Sequence, residues 1–273
     1  MDPIAQLQAD DLDGALAALT NRVRADPSDV KLRVYLFQLL AVRGDWARAK
    51  TQLDTAVSMD PSLMMIGRLY GDAITCETER GEIFAGTRSP TIFGEPEAWM
   101  ASLVEATRLQ ATGAHAAAEP LRATAFDAAP AIAGTIDGEP FEWIADADGR
   151  FGPMLELIIN GRYFWAPFGR IKAIEIEPPS DLRDKVWMPA IVTWSHGGKS
   201  GALIPTRYPN IERSADPTLK LAGQTVWQEV AEGIFEGQGQ RLLATDAGEY
   251  AVMDVREIVL EALPESEAAG TDV

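Results

Sequence analysis

The chain has one cysteine, Cys76, and two histidines, His115 and His196, in 273 residues. A lone thiol excludes an intrachain disulfide, and so few soft ligands exclude a Cys/His zinc set. Cys76 lies in a helical stretch and reads as an inert buried thiol. Positive charge is also scarce: 24 Lys and Arg against 41 Asp and Glu give a formal charge of −17. Phosphate-rich surfaces repel such a chain, which argues against nucleic acid and against an anionic membrane as partners. No apolar run reaches the roughly 18 residues of a membrane span. The first residues are acidic and lack a basic-then-apolar leader pattern, so the chain is expected to stay in the cytoplasm.

Catalytic signatures are missing as well. His196-Gly-Gly-Lys-Ser looks like part of a phosphate loop. However, Thr193 stands where the leading glycine is required, and the segment sits between two strands. No Gly-x-Ser-x-Gly elbow occurs. Asp146-Ala-Asp148-Gly149 begins like a calcium loop, but Arg150 falls where the next acidic ligand belongs, so a plain turn is expected. The pairs Glu175/Glu177 and Asp181/Asp184 offer carboxylates for acid–base work. In a chain this acidic, solvated surface is their ordinary role. No catalytic, cofactor-binding or metal-ligating residue is assigned.

What is present changes character near residue 130. Before it, leucine and alanine recur at helical spacing. Asp26-Pro27 and Asp60-Pro61 lie 34 residues apart, the period of tetratricopeptide helix pairs. At that offset Trp46, Ala49, Leu53 and Val57 repeat Leu12, Ala15, Leu19 and Val23. Leu36, Ala49 and Ala56 occupy positions where such repeats carry Leu, Ala and Ala, whereas Arg33 and Phe37 depart from the usual Trp and Gly. A helix over about 62–80, a surface loop over 81–95 and a further helix pair over 96–110 and 114–128 are expected. The proline after each aspartate suits the first turn of the next helix, with the aspartate as its cap.

After residue 130, short β-type runs alternate with turn dipeptides. Asn160-Gly161 between Met154–Ile159 and Arg162–Phe168 is a strong hairpin signal, and Asp137-Gly138 marks another turn. Strands are also expected over 171–177, 188–194, 201–206, 225–229, 241–245 and 249–255. The segment Arg256–Leu263 reads equally as strand or helix. The expected fold class is α+β: tetratricopeptide-like helical repeats over 1–131, a small antiparallel β barrel or curved sheet over 132–263, and a fraying acidic tail over 264–273. Five of seven tryptophans fall in the β half, where core is their ordinary place.

Several strings carry a family resemblance. They are Phe141-Glu-Trp-Ile-Ala-Asp-Ala-Asp, Asn160-Gly-Arg-Tyr-Phe-Trp-Ala-Pro-Phe, Ile174-Glu-Ile-Glu-Pro-Pro-Ser-Asp-Leu-Arg-Asp, Leu203-Ile-Pro-Thr-Arg-Tyr-Pro and Thr245-Asp-Ala-Gly-Glu-Tyr. Together they resemble the ImpE/TagJ family of bacterial type VI secretion accessory proteins over most of residues 134–260. The resemblance implies a non-enzymatic adaptor. Its implied partners are the N-terminal helix of the small sheath subunit and, in some members, the ClpV-type AAA+ ATPase that recycles contracted sheaths. Trp143, Arg162, Tyr163 and Trp165 are the candidate contact residues, since they combine aromatic area with a guanidinium near one hairpin. The rival readings are a general repeat co-chaperone for peptide tails and an enzyme using the β-half carboxylates.

Overall fold

The structure is a computed structural model that describes residues 3–262. The expected tail over 264–273 lies outside the described residues. Seven helices come first: α1 (Pro3–Gln8), α2 (Leu12–Ala25), α3 (Val30–Arg43), α4 (Trp46–Met59), α5 (Met64–Phe84), α6 (Ala98–Ala111) and α7 (His115–Ala128). Strands follow: β1 (Gly134–Ile136), β2 (Glu139–Phe141), β3 (Ile144–Asp146), β4 (Met154–Ile159), β5 (Arg162–Pro167), β6 (Ile171–Ile176), β7 (Trp187–Trp194) and β8 (Lys199–Pro205). A single helical turn, α8 (Pro217–Lys220), precedes β9 (Thr225–Ala231), β10 (Ile234–Gly239), β11 (Leu242–Thr245), β12 (Glu249–Ala251) and β13 (Glu257–Leu260).

The helices start where carboxylates can satisfy free N–H groups. Asp11, Asp29 and Asp45 accept from Gly14, Leu32 and Arg48 N–H respectively. The Asp-Pro pairs differ from expectation at the first site. Asp26 ends α2 and accepts from Ser28, while Asp29 caps α3. At the second site Asp60 does cap a 3-10 turn opened by Pro61. Two of the four offset pairs match in burial: Ala15 and Ala49, like Leu19 and Leu53, are wholly buried, whereas Trp46 and Val57 are half-buried against buried Leu12 and Val23. Small residues let the helices approach, and leucine fills the space between them. Truncating Leu53 to alanine is therefore expected to destabilise the protein by about 2–5 kcal/mol, read from the urea midpoint at constant m-value.

Helix α5 runs one turn past its expected end, through Gly81 to Phe84. Tertiary contact overrides the glycine's weak helix propensity here. Ile83 and Phe84 are buried, and the Phe84 ring lies 5.3 Å from Phe151 and 6.0 Å from Trp165. Cys76, on the same helix, is buried with Sγ 3.6 Å from Gly161 O. Burial first, then the nearby Glu79, Glu77 and Asp72, push its thiol up to about 12. Native protein is expected to resist a thiol-specific reagent at neutral pH and to titrate one thiol per chain only after unfolding. Rapid native labelling would contradict that burial.

Eight strands form one antiparallel sheet in the order β2-β1-β13-β6-β7-β8-β4-β5. Its two end strands do not pair with each other, so the barrel alternative is corrected to an open sheet. Two features close the edges instead. At one end β2 is only three residues long and contains Pro140. At the other, the backbone of Thr91–Phe93 runs beside β5, with Trp165 N donating to Thr91 O and Phe93 N donating to Trp165 O, both at 2.9 Å. The Arg170 guanidinium donates to Phe93 O and Glu95 O, and Phe93 stacks on Trp194 at 3.8 Å, which pins this segment. The remaining strands make a small sheet, β12-β11-β3, and a two-stranded ribbon, β10-β9. The glycine dipeptides act as expected: Asp137-Gly138 and Asn160-Gly161 carry paired positive φ values of 49° and 86°, and 50° and 74°.

The sheet divides the apolar core. Met154, Ile158, Tyr163, Trp165 and Trp187 join the helical side chains in one cluster. Leu155, Leu157, Ile159, Ala166, Met188 and Val192 fill a second cluster on the opposite face. The alternation within β4 and β5 follows the period of two that sends successive side chains to opposite faces.

Candidate docking cleft

Charge within the helix-facing core is organised around Glu156, which interrupts the apolar run of β4 and is wholly buried. Arg80 on α5 grips it with two bonds, Nε to Oε1 at 2.7 Å and Nη2 to Oε2 at 2.9 Å. Arg241, just before β11, donates to Glu156 and to Asp146 on β3. Tyr163 Oη donates to Glu156 and accepts from Trp165 Nε1 at 2.7 Å. Beside this chain, Arg150 pairs with Asp148 and Glu236, while Glu77 accepts from Trp187 Nε1 at 2.9 Å.

Burial pushes Glu156 upward, but Arg80 and Arg241 outweigh it and hold the carboxyl below its ordinary value. Asp146 goes the other way. Burial dominates, Arg241 opposes it, the neighbouring Asp148 adds to it, and the carboxyl reaches about 7. These groups tie α5, β3, β4 and the start of β11 into one block. Their lone pairs and N–H groups are directed at one another, so the network fixes geometry and does not present a free acid or base. The chain turns after Asp146, as expected, and the carboxylates of Asp146 and Asp148 are buried in ion pairs there.

This block supports an open cleft of 410 Å³ between α7 and the small sheet. Its walls come from Phe126, Ala129, Pro130, Trp143, Pro153 and Ala244, almost all apolar and mostly small. Phe126 and Trp143 are 40% and 39% exposed, so both rings present part of their faces to solvent at the cleft. Gly152 lets the cleft close beneath Phe126. Its φ is +50°, and a Cβ there would lie 2.3 Å from Phe126 Cε1. Trp143 is held from behind, where Asp246 accepts from Glu142 N at 2.7 Å and from Trp143 N at 3.4 Å. The exposed Asp246 thus sets one carboxylate beside the Trp143 backbone.

The four residues singled out in the sequence do not meet at one place. Trp143 forms the cleft rim. Arg162 is exposed on the β4–β5 hairpin, its guanidinium 5.1 Å from the Phe164 ring centre. Tyr163 and Trp165 are 1% and 0% exposed and belong to the Glu156 network. Sequence reasoning missed Phe126, Glu156 and Arg241. Glu156 did leave a signal, as a single carboxylate inside an otherwise apolar strand run. The carboxylate pairs are also apart: Glu175 bonds Lys199 at the surface, and Asp184 accepts from Ser180 and Asp181 N–H in a local cap.

Fold and cleft together define a class: an α+β scaffold with a buried ionic network beneath an open, mostly apolar cleft. Residues 138–259 match the ImpE protein family. Over 255 residues, 93% of this chain and 89% of the relative, the sequence is 47% identical to the type VI secretion system accessory component TagJ of Pseudomonas aeruginosa. The crystal structure of a Vibrio parahaemolyticus protein shares the fold with a TM-score of 0.87 at 22% identity, covering 96% of this chain and 98% of that one. The chain belongs to the ImpE/TagJ family of type VI secretion accessory proteins.

Proposed function

We propose that this protein is a cytoplasmic, non-enzymatic adaptor of a type VI secretion system that holds the N-terminal helix of the small sheath subunit. The observation that carries the reading is the Phe126–Trp143 cleft, whose small-residue walls leave room for the bulky side chains of an amphipathic helix. The Asp246 carboxylate beside Trp143 favours a helix with a basic flank. Helices α2 to α5, in this reading, act as a tetratricopeptide-like arm that sets the cleft's orientation within the apparatus. The ClpV-type ATPase is the second partner, reached while the sheath helix is held.

A peptide-tail co-chaperone is less well supported, because such clamps use free cationic side chains to grip a carboxylate. The guanidinium groups near the cleft are engaged within the protein: Arg122 with Glu119 and Gln110, Arg150 with Asp148 and Glu236. Co-purification with the small sheath subunit, with and without its first helix, tests the proposal. Retention is expected only with the helix present; equal recovery of both forms rejects this binding mode.

A further inference from the structure

A second cavity, of about 500 Å³, adjoins the Phe126–Trp143 cleft, since Ala147 and Gly149 line both. The β9–β10 ribbon contributes Trp227 and Phe235 to it, α7 contributes Glu119 and Arg122, and β12 contributes Glu249. Trp227 and Phe235 are 38% and 50% exposed. Trp227 is backed by Tyr208, with ring centres 5.8 Å apart, so its place is set before any ligand arrives. The two guanidinium groups that line the cavity are engaged. Arg122 donates to Gly149 O at 2.9 Å, to Glu119 and to Gln110. Arg150 donates from Nε to Asp148 Oδ1 at 2.9 Å and from Nη1 to Glu236 Oε2 at 3.0 Å. Four carboxylates, those of Glu119, Asp148, Glu236 and Glu249, thus stand against two guanidiniums, and the excess is negative. The Glu119 side chain stays 50% exposed beside Arg122. Glu249 is exposed, and among the described residues its carboxylate has no hydrogen-bond or ionic partner.

We propose that this cavity receives one arginine side chain of a partner polypeptide. Exposed aromatic rings attract positive charge through their quadrupoles, and the carboxylates accept its N–H bonds. A guanidinium suits the site better than an ammonium. It is planar and more weakly hydrated, and it stacks on an indole while forking to a carboxylate. An anion would have to displace Glu119 or Asp148 from its arginine. Free arginine meets the same obstacle, because its own carboxylate enters a site with excess negative charge, whereas an arginine within a chain brings none. One polypeptide can fill both cavities, since Ala147 and Gly149 are common to the two. The recognition chemistry nevertheless goes beyond the helix-holding role and holds whether or not a sheath helix occupies the neighbouring cleft.

Titration of the isotope-labelled full chain with Nα-acetyl-arginine amide, followed on the tryptophan indole N–H signals, tests this without the sheath subunit. Saturable binding with Kd near about 1 mM is expected, moving the one indole signal that Trp227→Phe removes. The citrulline analogue keeps the shape and lacks the charge, and should bind at least about tenfold more weakly. Free arginine should bind about threefold more weakly than the amide. Glu119→Gln and Glu249→Gln, both at exposed positions, should each weaken binding about threefold. Glu175→Gln removes the same charge from β6 of the main sheet and should leave binding unchanged. A Trp227 signal unmoved up to about 20 mM amide overturns the inference, as does equal affinity for the citrulline analogue or an equal loss on Glu175→Gln. Free arginine binding more tightly than its amide overturns the assignment to a partner chain.

Discussion

Replacing Arg241 with methionine is expected to lower the stability of the protein by about 3–5 kcal/mol, the largest single-site loss in the fold. Methionine roughly matches the length of the arginine stem, so lost volume is a minor part of the effect. The dominant part is the fate of two carboxylates. The side chains of Asp146 and Glu156 are both out of solvent, and among the described residues Arg241 is the one side chain that bonds to both. With it gone, each must take up a proton, draw in water or move. Glu156 keeps Arg80 and Tyr163, while Asp146 keeps the Tyr208 hydroxyl at 3.1 Å and the Asp148 N–H at 2.9 Å. The damage therefore falls first on β3 and the 146–152 corner, which together form one wall of the cleft. The urea midpoint should fall with little change in slope, and hydrogen exchange should accelerate in β3 and β11 ahead of α2 and α3. Exchange that rises evenly through the chain would contradict a local role. A triple substitution of Arg241, Glu156 and Asp146 to apolar residues is expected to be much milder than the single one, because it removes the stranded charges.

Trp143→Ala is expected to weaken binding of the small sheath subunit's N-terminal helix by about 2 kcal/mol, roughly thirtyfold, with the fold intact. Trp143 offers a large rigid face at the rim of the cleft, and its backbone is anchored by Asp246, so little ordering remains for binding. At 39% exposed in the free protein, it contributes less to stability than the wholly buried Trp165 and Trp187. Isothermal titration with the helix as a peptide, paired with a thermal melt, separates the two effects. Ala131→Arg, on the exposed wall, should act similarly by filling the space. Arg162→Ala should be neutral, because that side chain lies against Phe164 on a different surface. Loss on Arg162→Ala with no loss on Trp143→Ala would move the docking site to the β4–β5 hairpin.

The two results together distinguish a scaffold from the surface it supports. If Arg241→Met weakens helix binding more than its loss of stability explains, the ionic block shapes the cleft as well as holding it. The 47% identical relative makes the family assignment independent of either outcome.

Much of the local structure was legible from residue order. Leucine and alanine at helical spacing marked α2 to α4. Asp-Gly and Asn-Gly marked their hairpins, because positive φ at two consecutive positions suits few other residues. Strand β10 escaped notice because Gly237 and Gly239 dilute its pattern. Gly237 is there for a reason that lies elsewhere in the chain, since a Cβ at that position would lie 2.3 Å from the Tyr208 ring. Likewise the end of α5 was placed too early, because Phe84 earns its helical turn from Phe151 and Trp165 and not from its neighbours.

Taken alone, the residue order determined most of the element types, the Asp-Gly and Asn-Gly turns, the acidic balance and the family. These depend on backbone preferences and on patterns within a few residues. The tertiary structure decided that the sheet stays open, that Tyr163 and Trp165 face inward while Trp143 faces out, and that Arg80, Asp146, Glu156 and Arg241 meet. Each of those outcomes joins residues distant in the chain. A buried charge finds its partner through the geometry of the whole fold, because only desolvation on folding makes the pairing necessary.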